Sequence, residues 1–203
     1  MWFLIKPYRA TGEGRYVGLP LGFGFLGVSY ALAAFAHSFP IFSVNGLTWF
    51  QLLARPFAFA FLTFTYFFSK KPSNKRLLWD ITLSALLVAL TSLFILFFVA
   101  PQFTFSTYRF LSIYVRIFNI ICLLYISAHT LRSHLEAHDS KTILTPFGFI
   151  FLGISQYSLL IWATGDGGDL AFYGGLVLRW IGLALFLLTA YRSFYGSQKR
   201  SSE

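Results

Sequence analysis

Six long apolar runs, separated by short polar segments, make up most of this chain. They lie at about 17–36, 47–68, 77–99, 107–128, 143–163 and 170–191. Each run is close to the ~20 residues that a helix needs to cross the hydrocarbon core of a bilayer. Because the connections are short, consecutive helices are expected to be antiparallel neighbours. The pattern predicts an all-α, polytopic integral membrane protein with six transmembrane helices.

The composition favours the same class. Hydrophobic residues make up 57% of the 203 residues and charged residues only 11%, which is too little charge to cover a soluble domain. The net charge of +9 comes mainly from basic residues at the ends of the apolar runs, and no basic tail long enough to hold DNA is present, so no nucleic-acid partner is expected. The single cysteine, Cys122, excludes an intrachain disulfide and a thiolate metal cluster.

The basic residues also predict an orientation. With the N-terminus inside, the inner segments hold twelve of the sixteen Lys and Arg residues and the outer segments hold only Arg109. Segment 1–16 is then a cytoplasmic N-terminal segment, 17–191 a six-helix membrane domain, and 192–203 a cytoplasmic basic tail. We therefore expect a multi-pass protein of the cell (plasma) membrane with both termini in the cytoplasm.

Two features indicate an internal repeat. Residues 20–29 (PLGFGFLGVS) and 146–155 (PFGFIFLGIS) are identical at seven of ten positions. Three arginines inside apolar runs, Arg55, Arg116 and Arg179, are spaced by 61 and 63 residues. The chain is therefore interpreted as three tandem helical hairpins, pseudo-repeats of about 62 residues at 17–68, 77–128 and 143–191, of which the middle one has diverged.

Intramembrane arginines are rare and costly, so these three are candidates for function. Counted from the ends of the apolar runs, they share one depth in the outer half of the membrane, where no Asp or Glu occurs. Other polar residues fall near the same level. The candidate ligand-binding set is Arg55, Arg116, Arg179, Asn119, Ser29, Ser155 and Gln156.

Three interpretations of the arginines remain open. They converge on a central pocket and hold an anion by forked hydrogen bonds. Alternatively, each side chain extends along its helix to lipid phosphates, since helical side chains lean toward the N-terminal, outer end. The third interpretation is pairing with backbone carbonyls or with another membrane subunit.

No other motif predicts chemistry. His134 and His138 share a helix face, but no nearby motif supplies further ligands, so no metal site and no cofactor are expected. Pro56 is expected to kink the second helix. A phosphate-binding loop, a nucleophile elbow and paired intramembrane acids are all absent from the sequence, so enzyme activity is not expected.

Two functions are compatible with these features. The first is a non-enzymatic, stand-alone sensory or accessory subunit of a membrane complex, whose partners are the lipid bilayer and other membrane subunits. The general organisation resembles such small subunits of prokaryotic complexes, although no motif identifies a family. The alternative is a binding or transport protein for a small anionic or amphipathic solute, which uses a central arginine cluster.

Overall fold

The computed structural model describes the backbone of residues 18–38, 44–69, 76–99, 105–137, 143–165 and 168–198. These residues form six helices and no strand. The helices are α1 (Gly18–Ser38), α2 (Val44–Ser69), α3 (Arg76–Val99), α4 (Phe105–Ala137), α5 (Leu144–Thr164) and α6 (Gly168–Gln198). The predicted N-terminal segment 1–16 and residues 199–203 of the predicted tail lie outside the described ranges.

Three of these helices are long and apolar enough to cross a membrane. They span Phe110–Glu136, Leu144–Thr164 and Gly168–Arg192, with mean hydropathies of 1.9, 1.5 and 1.8. The first three helices contribute shorter apolar stretches among the described residues. The all-α prediction is confirmed, together with three helices of membrane-spanning character, and six spans remain a prediction.

The chain divides after Val115 into two compact units, Met1–Val115 and Arg116–Glu203, and each is described by itself. In the first unit, α1 packs antiparallel against α2 through its glycines. Gly22 lies against Ala58 and Leu62, where an added Cβ would approach Leu62 Cγ to 2.5 Å. Trp79 of α3 packs edge-on against Phe68 of α2, with ring centroids 5.5 Å apart. Small residues thus bring the backbones of α1 and α2 together.

In the second unit, α5 and α6 form a similar antiparallel pair. Gly165 ends α5 in the left-handed conformation, with φ 97°, and its N–H donates to the carbonyl of Trp162 at 3.2 Å. Gly182 lies so close to the backbone of Gly148 that an added Cβ would come within 2.9 Å of the Gly148 carbonyl oxygen. Phe186 fills the space beside Gly148 and stacks edge-on against Phe149 at 4.7 Å.

Helix α4 has an inverted distribution of polarity. One face is buried although it is largely polar, and it carries Ser112, Arg116, Asn119, Leu123, Ile126 and Thr130. The opposite face exposes large apolar side chains, among them Phe118, Ile121 and Leu124. A water-soluble helix buries its apolar face and exposes its polar one. The reversed arrangement is typical of a transmembrane helix that turns apolar side chains toward lipid and polar side chains toward the protein interior.

Candidate functional site

In the first unit, Arg55 of α2 is held against α1. Its Nε donates to Ser29 Oγ at 3.3 Å. Its guanidinium carbon lies 5.3 Å from the centroid of the Tyr30 ring, within the range of a cation–π interaction. Ser29 is fully buried, and the neighbouring Pro56 lies inside α2, which continues past it to Ser69. Two consecutive residues of α1 therefore fix the direction of this arginine.

In the second unit, Arg116 lies in the buried polar face of α4. Its exposure is 9%, which differs from the exposure expected of a side chain lying along a lipid-facing surface. Asn119, 1% exposed, follows it by one turn on the same face. The arginine is thus placed inside the protein together with an uncharged polar group.

Helices α4 and α5 approach closely where Leu123 meets Gly153. The Cβ of Leu123 lies 3.8 Å from the position that a Cβ on Gly153 would take. Asn119 precedes Leu123 by four residues, and Gln156 follows Gly153 by three, so each lies one turn from the contact on its own helix. The six residues that join α4 to α5 are too few for the two helices to run parallel through this contact, so both turns lie on the same side of it. Asn119 and Gln156 therefore face the same region between α4 and α5.

These two amides have buried atoms whose hydrogen-bonding capacity is unmet. Gln156 is 3% exposed. Among the described residues, the Oδ1 atom of Asn119 and the Nε2 atom of Gln156 have no hydrogen-bond partner. One atom is an acceptor and the other is a donor. An unmet polar atom in an interior costs about 1–3 kcal/mol, so the region is suited to an occupant that supplies both a donor and an acceptor.

Ser155 has a different role from its neighbour Gln156. Its Oγ donates to the carbonyl oxygen of Gly175 in α6 at 2.6 Å. One turn further on, Ser158 makes the same type of bond to the carbonyl of Ala171 at 2.7 Å. Both serines therefore tie α5 to α6 and leave the α4 side of α5 to Gly153 and Gln156.

Arg179 lies on α6 between Gly175 and Gly182, both of which pack against α5. Its Nε and Nη2 atoms are buried. Gly175 lies against Leu159, and Gly182 lies against Leu152. Arg179, about halfway between the two glycines, is therefore level with the stretch of α5 around Gly153.

Arg116 lies two turns along α4 from the contact with α5. Leu123 marks the level of Gly153, and Arg116 precedes it by seven residues, or about 10 Å along α4. The single depth in the membrane that the apolar runs predict for the three arginines stays a prediction.

The structure thus groups the predicted residues in two ways. Ser29 meets Arg55 in the first unit. In the second unit, Arg116 and Asn119 lie on the buried face of α4, and Gln156 is a buried residue of α5. Tyr30 and Leu123 were not among the residues predicted from the sequence, and Gly153 was noted only as part of the repeated motif at 146–155. That glycine was a signal for close helix approach.

The histidines near the end of α4 do not form a metal centre in the described part of the chain. No group of three or more His, Cys, Asp or Glu side chains is close enough there to hold an ion. His138 lies outside the described residues. The same end of α4 carries an exposed ion pair, in which Arg132 Nε lies 2.8 Å from Glu136 Oε1.

The chain matches no protein-family model, no curated protein and no solved structure. Its function is therefore argued from its own residues.

Proposed function

We propose that this chain is a non-enzymatic integral membrane protein that binds a small anionic solute inside its helical bundle, with Arg116 as the principal contact. The burial of Arg116 on the polar face of α4 carries the proposal. A guanidinium has five N–H donors in a planar fork, so it has donors for an anion in addition to its protein contacts. Lipid on the outer face of α4 would exclude water and strengthen the attraction.

The architecture that accompanies this proposal has six spans, arranged as three hairpins, with both termini in the cytoplasm. Matching contacts in the first and last hairpins support the repeat. Gly22 packs on Leu62, and Gly148, at the aligned position, packs on Phe186, which aligns with Leu62 when Arg55 and Arg179 are superposed. Thr65 and Thr189, also aligned, each donate to the carbonyl four residues earlier, at 2.7 and 2.8 Å.

A sensory or accessory subunit of a membrane complex is the second candidate function. The surface of α3 favours it, since among its described large apolar side chains only Trp79 and Leu90 are clearly buried. Its exposed apolar face, with Leu77, Ile81 and Val88, suits either lipid or another membrane subunit. Binding of an anion and association with a partner are compatible, and the first is directly testable.

The test is thermal unfolding of the purified protein in detergent, at constant ionic strength, with chloride replaced in turn by phosphate, sulfate, acetate and lactate. A ligand that binds only the folded state stabilises it by about 2.7 kcal/mol at a concentration of 100 times its Kd. We expect at least one anion to raise the Tm of the wild type and of Arg132→Gln. The second protein is the matched control, because Arg132 is an exposed arginine on the same helix.

Arg116→Gln is expected to abolish this anion effect. Arg116→Lys keeps the charge but loses the planar fork, so a weaker effect should remain, and this variant serves if the glutamine variant does not fold. An anion effect of wild-type size in Arg116→Gln would disprove the assignment. The absence of an effect from every anion in wild-type protein would disprove anion binding.

A further inference from the structure

The contact between α4 and α5 leaves a polar region immediately beside Arg116. The Cβ of Leu123 lies 3.8 Å from the position that a Cβ on Gly153 would take, so the two helices are in contact at this point. One turn away, on the same side of this contact, Asn119 lies on α4 and Gln156 lies on α5. One further turn along α4 lies Arg116. All these residues belong to the second unit.

The side chains of Asn119 and Gln156 are deeply buried, and each has one atom without a hydrogen-bond partner among the described residues. Asn119 Oδ1 requires a donor, and Gln156 Nε2 requires an acceptor. A bare anion such as acetate or chloride supplies only acceptors. It would accept hydrogen bonds from Arg116 and Gln156 and leave the oxygen of Asn119 without a donor.

We propose that Asn119 and Gln156 form the selective half of the binding site and that the solute is a small 2-hydroxycarboxylate. This inference rests on the proposed anion-binding function. Gln156 Nε2 and Arg116 donate to the carboxylate, and the hydroxyl on the adjacent carbon donates to Asn119 Oδ1. An amino acid also carries a donor beside its carboxylate, but its ammonium would be a second positive charge close to Arg116.

The experiment compares ligand pairs that differ by one hydroxyl group, lactate with propionate and glycolate with acetate. Binding is measured by calorimetric titration of the full-length protein in detergent micelles. A site that hydrogen-bonds a ligand hydroxyl discriminates strongly against the analogue that lacks it, because a buried protein group is then left unmet. We expect each hydroxy acid to bind at least about tenfold more tightly than its partner, which corresponds to about 1.4 kcal/mol.

Variants separate the roles of the side chains. Asn119→Leu should reduce lactate affinity to that of propionate and leave propionate affinity unchanged. Gln156→Met should weaken both ligands equally, because its amide contacts the shared carboxylate. Ser127→Ala is the matched control, since Ser127 is a buried polar residue of α4 two turns beyond Asn119, and it should bind both ligands as the wild type does.

The possible outcomes distinguish this inference from the proposed function. Equal binding of lactate and propionate to the wild type would overturn the hydroxycarboxylate inference and leave the anion site of Arg116 standing. Tighter binding of alanine than of lactate would also overturn it. If both carboxylate pairs and all other anions fail to bind, the proposed function itself is wrong. If Asn119→Leu retains the preference for lactate, the amide of Asn119 has only a structural role.

Discussion

Several hydroxyl groups in the apolar helices donate to carbonyls of their own or a neighbouring helix, whereas Asn119 and Gln156 each have an amide atom without a partner among the described residues. Thr65 and Thr130 donate to carbonyls of their own helices at 2.7 and 2.8 Å. Ser155 donates across to α6. A short hydroxyl side chain reaches a nearby carbonyl easily, while an amide needs partners for both a carbonyl and an NH₂ group. Asn119 and Gln156 therefore depend on something outside their own helices.

At the scale of single residues, the neighbours Ser155 and Gln156 are expected to give opposite changes in the stability of the ligand-free protein. Gln156→Met removes a buried donor that has no partner and should raise the free energy of unfolding by about 1 kcal/mol. Ser155→Ala removes an interhelical hydrogen bond and should lower it by about 0.6 kcal/mol. The measurement is unfolding by titration with a denaturing detergent, followed by circular dichroism. Destabilisation by Gln156→Met would show that its amide is already satisfied.

At the scale of helices, two glycines of α1 that are five residues apart differ in their surroundings: Gly22 is crowded by α2, and Gly27 has open space around it. Gly22 faces α2, where an added Cβ would meet Leu62 Cγ at 2.5 Å and the Ala58 carbonyl oxygen at 3.0 Å. At Gly27, an added Cβ would meet nothing within 4 Å. The glycine-rich sequence of α1 therefore contains at least one position that permits helix contact and one that does not take part in it.

We expect Gly22→Ala to destabilise the protein by about 1–3 kcal/mol, because the methyl group overpacks a contact that includes a rigid backbone atom. Gly27→Ala is the matched control and should be neutral or stabilising by up to about 1 kcal/mol, since alanine is the better helix former. Thermal unfolding of both variants in the same detergent gives the comparison. Equal Tm values for Gly22→Ala and the wild type would contradict the α1–α2 contact.

The positions of the helices were predictable from hydropathy, but some of their ends were not. The fourth apolar run was expected to end near residue 128, whereas α4 continues to Ala137. Beyond the apolar part, the Arg132–Glu136 pair has the i,i+4 spacing that supports a helix in water. Hydropathy detects the part of a helix that lies in lipid and does not detect such a polar extension.

The candidate site was only partly predictable, because the sequence shows which residues are polar but not which faces meet. Ser29 and Ser155 occupy the same place in the repeated motif, yet Ser29 accepts a hydrogen bond from Arg55 and Ser155 donates to Gly175. The closeness of α6 at Gly175 explains this difference, since an added Cβ there would lie 3.3 Å from the Ser155 carbonyl oxygen. Backbone approach of this kind depends on packing, which a single sequence does not specify.

At the scale of the whole molecule, the distribution of charge predicts the orientation in the membrane. Twelve of the sixteen basic residues fall on the segments assigned to the cytoplasm, and the opposite side carries Asp166 and Asp169 of the sequence TGDGGD, the second of them in the first turn of α6. The exposed Arg132–Glu136 end of α4 then faces the cytoplasm. The anion site, near the outer half of α4, would be reached from the other side.

Cysteine labelling in intact cells tests this orientation. Cys122 is the chain's single cysteine and is buried, so Cys122→Ala provides a background without thiols. In that background, Asp169→Cys and Glu136→Cys each place a thiol at an exposed position on opposite sides of the predicted membrane. A membrane-impermeant maleimide should label Asp169→Cys in intact cells and Glu136→Cys only after permeabilisation. The reverse result would invert the topology and place the entrance of the anion site on the cytoplasmic side, and labelling of both in intact cells would contradict a membrane-spanning α5.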